Sequence, residues 1–162
     1  MATDFTFAYG SSMNRSDLRS WLESNGYDSS LIVNALPATL QNYDFVWNYY
    51  SQKRAGGAVN LEHKENAFVW GLLIEFDESL LKAFDRKEGH PYFYSRGEQR
   101  MPVLRMDDGK VVFAWIYFAR PNKGGRRDVW PTREYRRIIL EAADFWKFPE
   151  DCVRRIQGWQ TQ

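Results

Sequence analysis

Residues 83–96 read A-F-D-R-K-E-G-H-P-Y-F-Y-S-R and set one carboxylate, Glu88, between the end of an amphipathic helix and an aromatic strand. Gly89 permits a sharp backbone turn and Pro91 forbids further helix, so Glu88 belongs at a junction between elements. A carboxylate held there, with Tyr92, Phe93 and Tyr94 beside it, is a candidate general base, because a positioned acid can take a proton and return it later. The competing reading is a solvated glutamate at a polar helix end. Residues 5–13, F-T-F-A-Y-G-S-S-M, read as a short strand breaking into a Gly-Ser-Ser turn. Successive backbone N–H groups at such a turn converge on an anion, helped by the partial positive charge of the helix that follows. Either feature alone is a weak signal; both in one chain are a stronger one.

The elements that must hold these groups are mixed α and β without repeats. Residues 4–9 and 68–76 read as strands, and 38–50, just after Pro37, as one long or bent strand. Residues 58–61 read as a short strand after a polar loop. Residues 92–106 and 110–118 flank Asp107-Asp108-Gly109, a hairpin turn sequence. Residues 15–24 read as a helix capped near Asn14, and 78–86 as a helix with Leu80, Leu81 and Phe84 on one face. Residues 132–146 form an amphipathic pattern, with Thr132 the expected cap and Glu134 in the first turn. Pro149 begins a last short helix. Antiparallel strands with a few interspersed helices predict an α+β fold, a small mixed, mainly antiparallel, β-barrel-like sheet with a few packed helices.

With 162 residues and 44% apolar content the chain can bury one sizeable core, so a single domain over residues 1–162 is expected. Lys plus Arg number 22 against 21 Asp plus Glu, which leaves no global pull toward nucleic acid or anionic membrane. Basic residues outnumber acidic ones after Ala119, but no motif that reads RNA or DNA accompanies them. No apolar run has the length of a membrane span, and no basic-then-apolar leader opens the chain. Cys152 is the only cysteine, which excludes an internal disulfide and suggests a reducing, cytoplasmic setting. His63 and His90, with that one cysteine, make no metal-ligand spacing. Ser11 and Ser12 lack the G-x-S-x-G context of a nucleophile elbow.

Four segments, in order, resemble the γ-glutamylcyclotransferase-like family, which includes the γ-glutamylamine cyclotransferase relatives. The family's Y-G-S-N motif appears as Tyr9, Gly10 and Ser11, then Ser12 where asparagine is expected. Its L-D-x-x-E-G-x-P-x-x-Y segment matches Phe84, Asp85, Glu88, Gly89, Pro91 and Tyr94, with Phe84 replacing the usual leucine. A-G-G-A-V-N at 55–60 with F-V-W-G-L at 68–72, and P-T-R-E-Y-R-R-I-I at 131–139, complete the set. The resemblance runs from about Thr6 to about Ile156. It implies an enzyme that closes a γ-glutamyl α-amine onto its own δ-carbonyl, releasing 5-oxoproline and an amino acid or amine, with no metal or cofactor.

In that reading Glu88 is the general acid/base. The backbone of Gly10, Ser11 and Ser12, with Met13 in reserve, holds the substrate carboxylate next to Tyr9. Tyr94, Tyr117 and Tyr135 line the pocket. The leaving-group side is expected in the loop 119–130, through Lys123, Arg126 and Arg127. The expected partner is a small γ-glutamyl molecule, not a membrane or nucleic acid, and the protein is expected to be a monomer or homodimer. The alternative is a non-catalytic module on the same fold that binds a small carboxylate or a protein. Glu88 favours the enzyme, since a carboxylate binder gains nothing from an acid facing its ligand.

Overall fold

The computed structural model describes residues 2–162. Strand β1 (Thr3–Ala8) leads through a 3₁₀ turn (Ser11–Met13) into α1 (Arg15–Ser24). The long strand β2 (Ile32–Val46) and the two-residue strands β3 (Tyr50–Ser51) and β4 (Gly56–Gly57) precede the longest strand, β5 (Asn60–Asp77). Helix α2 (Leu81–Glu88) follows, then β6 (Tyr94–Ser95), β7 (Met101–Arg105), β8 (Val111–Ala114) and β9 (Phe118–Ala119). Helices α3 (Arg133–Phe145) and α4 (Glu150–Gln157) complete the order.

The frame is a five-stranded sheet in the order β1-β5-β2-β7-β8, with every ladder antiparallel. β2 and β5 pair from Ile32 opposite Phe76 to Val46 opposite Asn60, with a register shift between Gln41 and Tyr43. Asn42 and Asn66 both take left-handed backbone there, at φ 65° each, and the Asn42 side chain accepts from the Asn66 N–H at 3.1 Å. Asparagine tolerates that conformation because its short amide bonds locally. The bent strand expected at 38–50 is therefore real but shifted, running from Ile32 to Val46, with Tyr50 in β3 of another sheet. Of the short strand expected at 58–61, only Asn60 and Leu61 are strand, as the start of β5.

The two outer strands of the sheet meet at one parallel bridge, Thr6 to Trp115, through Phe7 N–H to Trp115 O (2.9 Å) and Trp115 N–H to Phe5 O (2.8 Å). One bridge is not a ladder. The sheet curls toward a barrel without closing into one, and the fold is mixed α+β. Asp4 secures the join, accepting from Trp115 Nε1 at 2.9 Å and from Arg100 Nε and Nη2 at 2.9 and 2.8 Å.

Residues 92–106, expected as one strand, instead split into β6 and β7, which belong to different sheets. Gly97 turns the chain at φ 63°, and Arg96 and Arg100 lie over the Trp115 ring at 4.4 and 4.6 Å. Stacking two guanidinium groups on one indole requires this detour rather than an extended run. The hairpin at Asp107-Asp108-Gly109 is present, with β7 and β8 paired from Met101–Ala114 to Leu104–Val111.

Local signals set the helix ends. The Asn14 side chain accepts from the Asp17 N–H at 3.1 Å at the start of α1, and Thr132 Oγ1 accepts from the Tyr135 N–H at 3.1 Å at the start of α3. α3 buries Tyr135, Ile138, Ile139, Ala142 and Ala143 at helical spacing. α2 is short and is held by packing: Leu80, Ala83 and Phe84 are buried, and the Phe84 and Phe76 rings lie 4.7 Å apart. Burying each of those rings stabilises the fold by about 1.5–3 kcal/mol, which anchors the helix that carries Glu88. Among the described residues, no helix is long and apolar enough to cross a membrane.

Candidate active site

Glu88 is the last residue of α2. Gly89 ends the helix in left-handed backbone, φ 67°, while the His90 N–H reaches back to the Asp85 carbonyl at 2.8 Å. This is a Schellman-type ending, in which glycine alone is unstrained. A Cβ on Gly89 would also lie 2.5 Å from Phe93 Cδ2. The junction inferred from Gly89 and Pro91 is thus realised, and the His90–Pro91 peptide is cis.

Opposite Glu88 stands the turn after β1. Ser12 is buried, and its hydroxyl donates to Glu88 Oε1 at 3.3 Å. The residue that departs from the Y-G-S-N pattern therefore touches the carboxylate directly. The Met13 N–H donates to the Gly10 carbonyl at 3.1 Å and is spent within the turn. Among the described residues, the backbone N–H groups of Gly10, Ser11 and Ser12 have no protein acceptor. These three residues line a cleft of about 50 Å³ shared with Glu88.

Tyr9, Tyr94, Tyr117 and Tyr135 line the same cleft. Val59 holds two of them, accepting from the Tyr94 hydroxyl at 3.2 Å and donating its N–H to the Tyr135 oxygen at 3.1 Å. The Tyr9 hydroxyl donates to the Tyr117 carbonyl, and the Tyr117 hydroxyl to Asp85 Oδ1 at 2.7 Å. Tyr135 differs from the other three. Its oxygen accepts from Val59, and among the described residues no protein acceptor takes its hydroxyl proton. Burial, the largest influence, pushes all four phenols above their ordinary range, so each stays protonated at neutral pH. Tyr135 is the hydroxyl free to donate into the cleft.

Asp85 supports this wall from behind. Arg96 grips it bidentately at 2.7 and 3.1 Å, and the Tyr117 hydroxyl completes the set. Burial alone would raise this carboxyl, but the hydrogen bonds from Arg96 and Tyr117 outweigh it and hold Asp85 below the usual carboxylate range. A depressed folded value adds stability above the unfolded value, about 3.9, and that stability is lost as pH falls through the folded one. The protein should therefore lose stability below about pH 4. Asp85→Asn should be less stable at pH 7 by about 2 kcal/mol and show a shallower acid loss. Urea unfolding of both proteins across pH 2–7 checks this; parallel pH profiles would refute it.

Glu88, Tyr9, Gly10, Ser11, Ser12, Tyr94, Tyr117 and Tyr135 line this cleft as expected, whereas Met13 is buried and does not line it. Tyr92 and Phe93, placed beside Glu88 by sequence adjacency, are 78% and 61% exposed. The aromatic wall comes instead from β1, Tyr94, Tyr117 and α3. Val59 and Asp85 carry hydrogen bonds that no local pattern indicates, although both fall inside the matched segments.

The loop 119–130 turns its arginines elsewhere: Arg126 pairs with Asp128 at 2.9 Å, and Arg127 pairs with Glu62 on the exposed surface. Asn122 is its one contribution to a second, wider cavity of about 580 Å³ outside the cleft. The two spaces share Ser11, Glu88, Tyr94 and Tyr135, so Glu88 stands at the neck between them.

The profile of the family described as gamma-glutamyl cyclotransferase, AIG2-like, matches residues 6–137, and the chain belongs to that family. It is 28% identical over 102 residues to a Methanocaldococcus jannaschii protein provisionally named a gamma-glutamylcyclotransferase, covering 60% of this chain and 82% of the relative. A solved gamma-glutamyl cyclotransferase superposes with a TM-score of 0.83 at 19% identity, over 99% of this chain and 90% of the other. An uncharacterized protein from Homo sapiens gives 0.80 at 19%, over 100% and 90%. At those identities the superpositions establish the fold alone.

Proposed function

We propose that the protein is a γ-glutamyl cyclotransferase that uses Glu88 as its general acid/base. The observation that carries this reading is one cleft joining three kinds of group: a carboxylate, unspent backbone N–H donors, and a tyrosine hydroxyl with its proton free. In a bent γ-glutamyl substrate the α-nitrogen attacks the δ-carbonyl carbon. A new C–N bond closes the lactam, and the bond to the leaving nitrogen breaks. The α-ammonium loses two protons and the departing nitrogen gains two, so one carboxylate can ferry them in turn without net consumption.

The Gly10, Ser11 and Ser12 N–H groups suit the substrate α-carboxylate, and the Tyr135 hydroxyl suits the oxyanion that develops on the δ-carbonyl. Ser12 orients Glu88. Because nucleophile and electrophile belong to one molecule, holding the bent conformer is the main task, worth up to about 7–11 kcal/mol at the favourable extreme.

The test is chromatographic detection of 5-oxoproline from the purified protein with γ-glutamyl amino acids and γ-glutamylamines. Release from at least one class is expected. Silence across the whole panel would overturn the reading.

A further inference from the structure

The wider cavity beyond Glu88 has a charge of its own. Lys53, Arg54, Arg86 and Lys87 line it, against Glu88 as its one carboxylate. The chain as a whole is nearly neutral, at +1, so this concentration is local. It is also unbalanced. Arg54 is paired with Asp17 at 2.9 Å, but among the described residues Lys53, Arg86 and Lys87 have no carboxylate within 4 Å.

Lys53 and Arg86 instead lie over the rings of Trp21 and Tyr27, at 5.9 and 6.0 Å. Lost solvation, then repulsion from Lys87 and Arg54, pushes the Lys53 ammonium below its ordinary range. Like charges gathered without counter-ions are disfavoured unless something anionic joins them. Most other arginines of the chain are already satisfied, Arg126 and Arg127 among them.

The position of this cavity gives the charge its meaning. If the γ-glutamyl group fills the cleft, the nitrogen that departs lies at the neck beside Glu88, and whatever it carries extends outward. We infer that the outer cavity receives the leaving group and that Lys53 and Lys87 select one bearing a free carboxylate, an amino acid or short peptide, over a neutral or cationic amine. Tyr49, Tyr50 and Phe93 supply apolar wall for its side chain. The inference rests on the cyclotransferase reading and assigns the specificity of the same site.

The experiment compares γ-glutamyl-alanine with γ-glutamyl-alaninamide, which differ only in the leaving-group carboxylate. In the wild-type protein kcat/KM should favour the carboxylate at least about tenfold, mainly through KM, and the preference should shrink as salt rises. In Lys53→Gln/Lys87→Gln the ratio should fall toward one, while Arg126→Ala/Arg127→Ala should keep the wild-type ratio. Equal kcat/KM for both substrates in the wild-type protein overturns this inference and leaves the cyclotransferase reading standing. An unchanged ratio in the lysine variant overturns it as well. If neither substrate yields 5-oxoproline while another γ-glutamyl compound does, this inference falls and the cyclotransferase reading stands; silence with every γ-glutamyl compound overturns both.

Discussion

Glu88→Gln is expected to abolish most 5-oxoproline release while leaving the fold in place. Glutamine keeps the shape of the side chain and can still accept from the Ser12 hydroxyl, so the 3.3 Å contact across the cleft survives. What disappears is the capacity to take a proton from the α-ammonium and return it to the departing nitrogen. Positioned general acid–base groups contribute about 10²–10⁴ in rate, which corresponds to about 3–5 kcal/mol of barrier. The loss should fall on kcat rather than KM, because the proposed binding of the substrate carboxylate uses backbone N–H groups that the substitution does not touch. Steady-state kinetics, with a thermal melt to confirm folding, measures both. Activity equal to wild type would remove Glu88 from the mechanism.

The second large effect is expected at Gly57, far from the reacting atoms in sequence. An ideal Cβ there would lie 1.7 Å from the Val129 carbonyl oxygen, and the Gly57 N–H donates to the Trp130 carbonyl at 2.9 Å. The Gly56-Gly57 pair lets β4 pass directly beneath the segment that enters α3. Gly57→Ala must push those backbones apart, at a cost of about 3 kcal/mol. For a chain of this size that lowers Tm by roughly 6–12 °C.

Activity should fall as well, because Val59 lies two residues on and holds both Tyr94 and Tyr135. Gly158→Ala is the comparison. Its Cβ meets nothing closer than 3.4 Å and its φ is negative, so a change below about 1 kcal/mol is expected. Similar melting temperatures for the two variants would refute the close-approach argument.

Much of this architecture was legible because its causes are local. Asn14 and Thr132 cap helices through bonds to residues three positions away. The Asp107-Asp108-Gly109 turn and the glycine ending of α2 follow from backbone preference. The family motifs placed Glu88, the Gly-Ser-Ser turn and three of the tyrosines in one site. Where the reading drifted, distant partners intervened. Residues 92–106 satisfy a strand pattern, but Trp115 draws Arg96 and Arg100 onto its ring and the strand breaks in two. Tyr92 and Phe93 are adjacent to Glu88 in sequence, yet neither lines the inner cleft: Tyr92 is exposed and Phe93 borders the outer cavity.

By itself the sequence determined most of the helices and their caps, the hairpin turn, the family and the residue types that could do chemistry. These depend on periodicity, capping and backbone preference within a few positions. The tertiary structure decided how those groups are used. It left the Tyr135 proton free while committing those of Tyr9, Tyr94 and Tyr117, because the partners belong to other segments. It set the Ser12 hydroxyl against Glu88 across 76 residues of chain. It also set Lys53 and Lys87 along the cavity outside Glu88, while Arg126 and Arg127 pair with carboxylates elsewhere. Hydrogen-bond choice and electrostatic fields are sums over neighbours in space, and only the folded chain sets which residues those are.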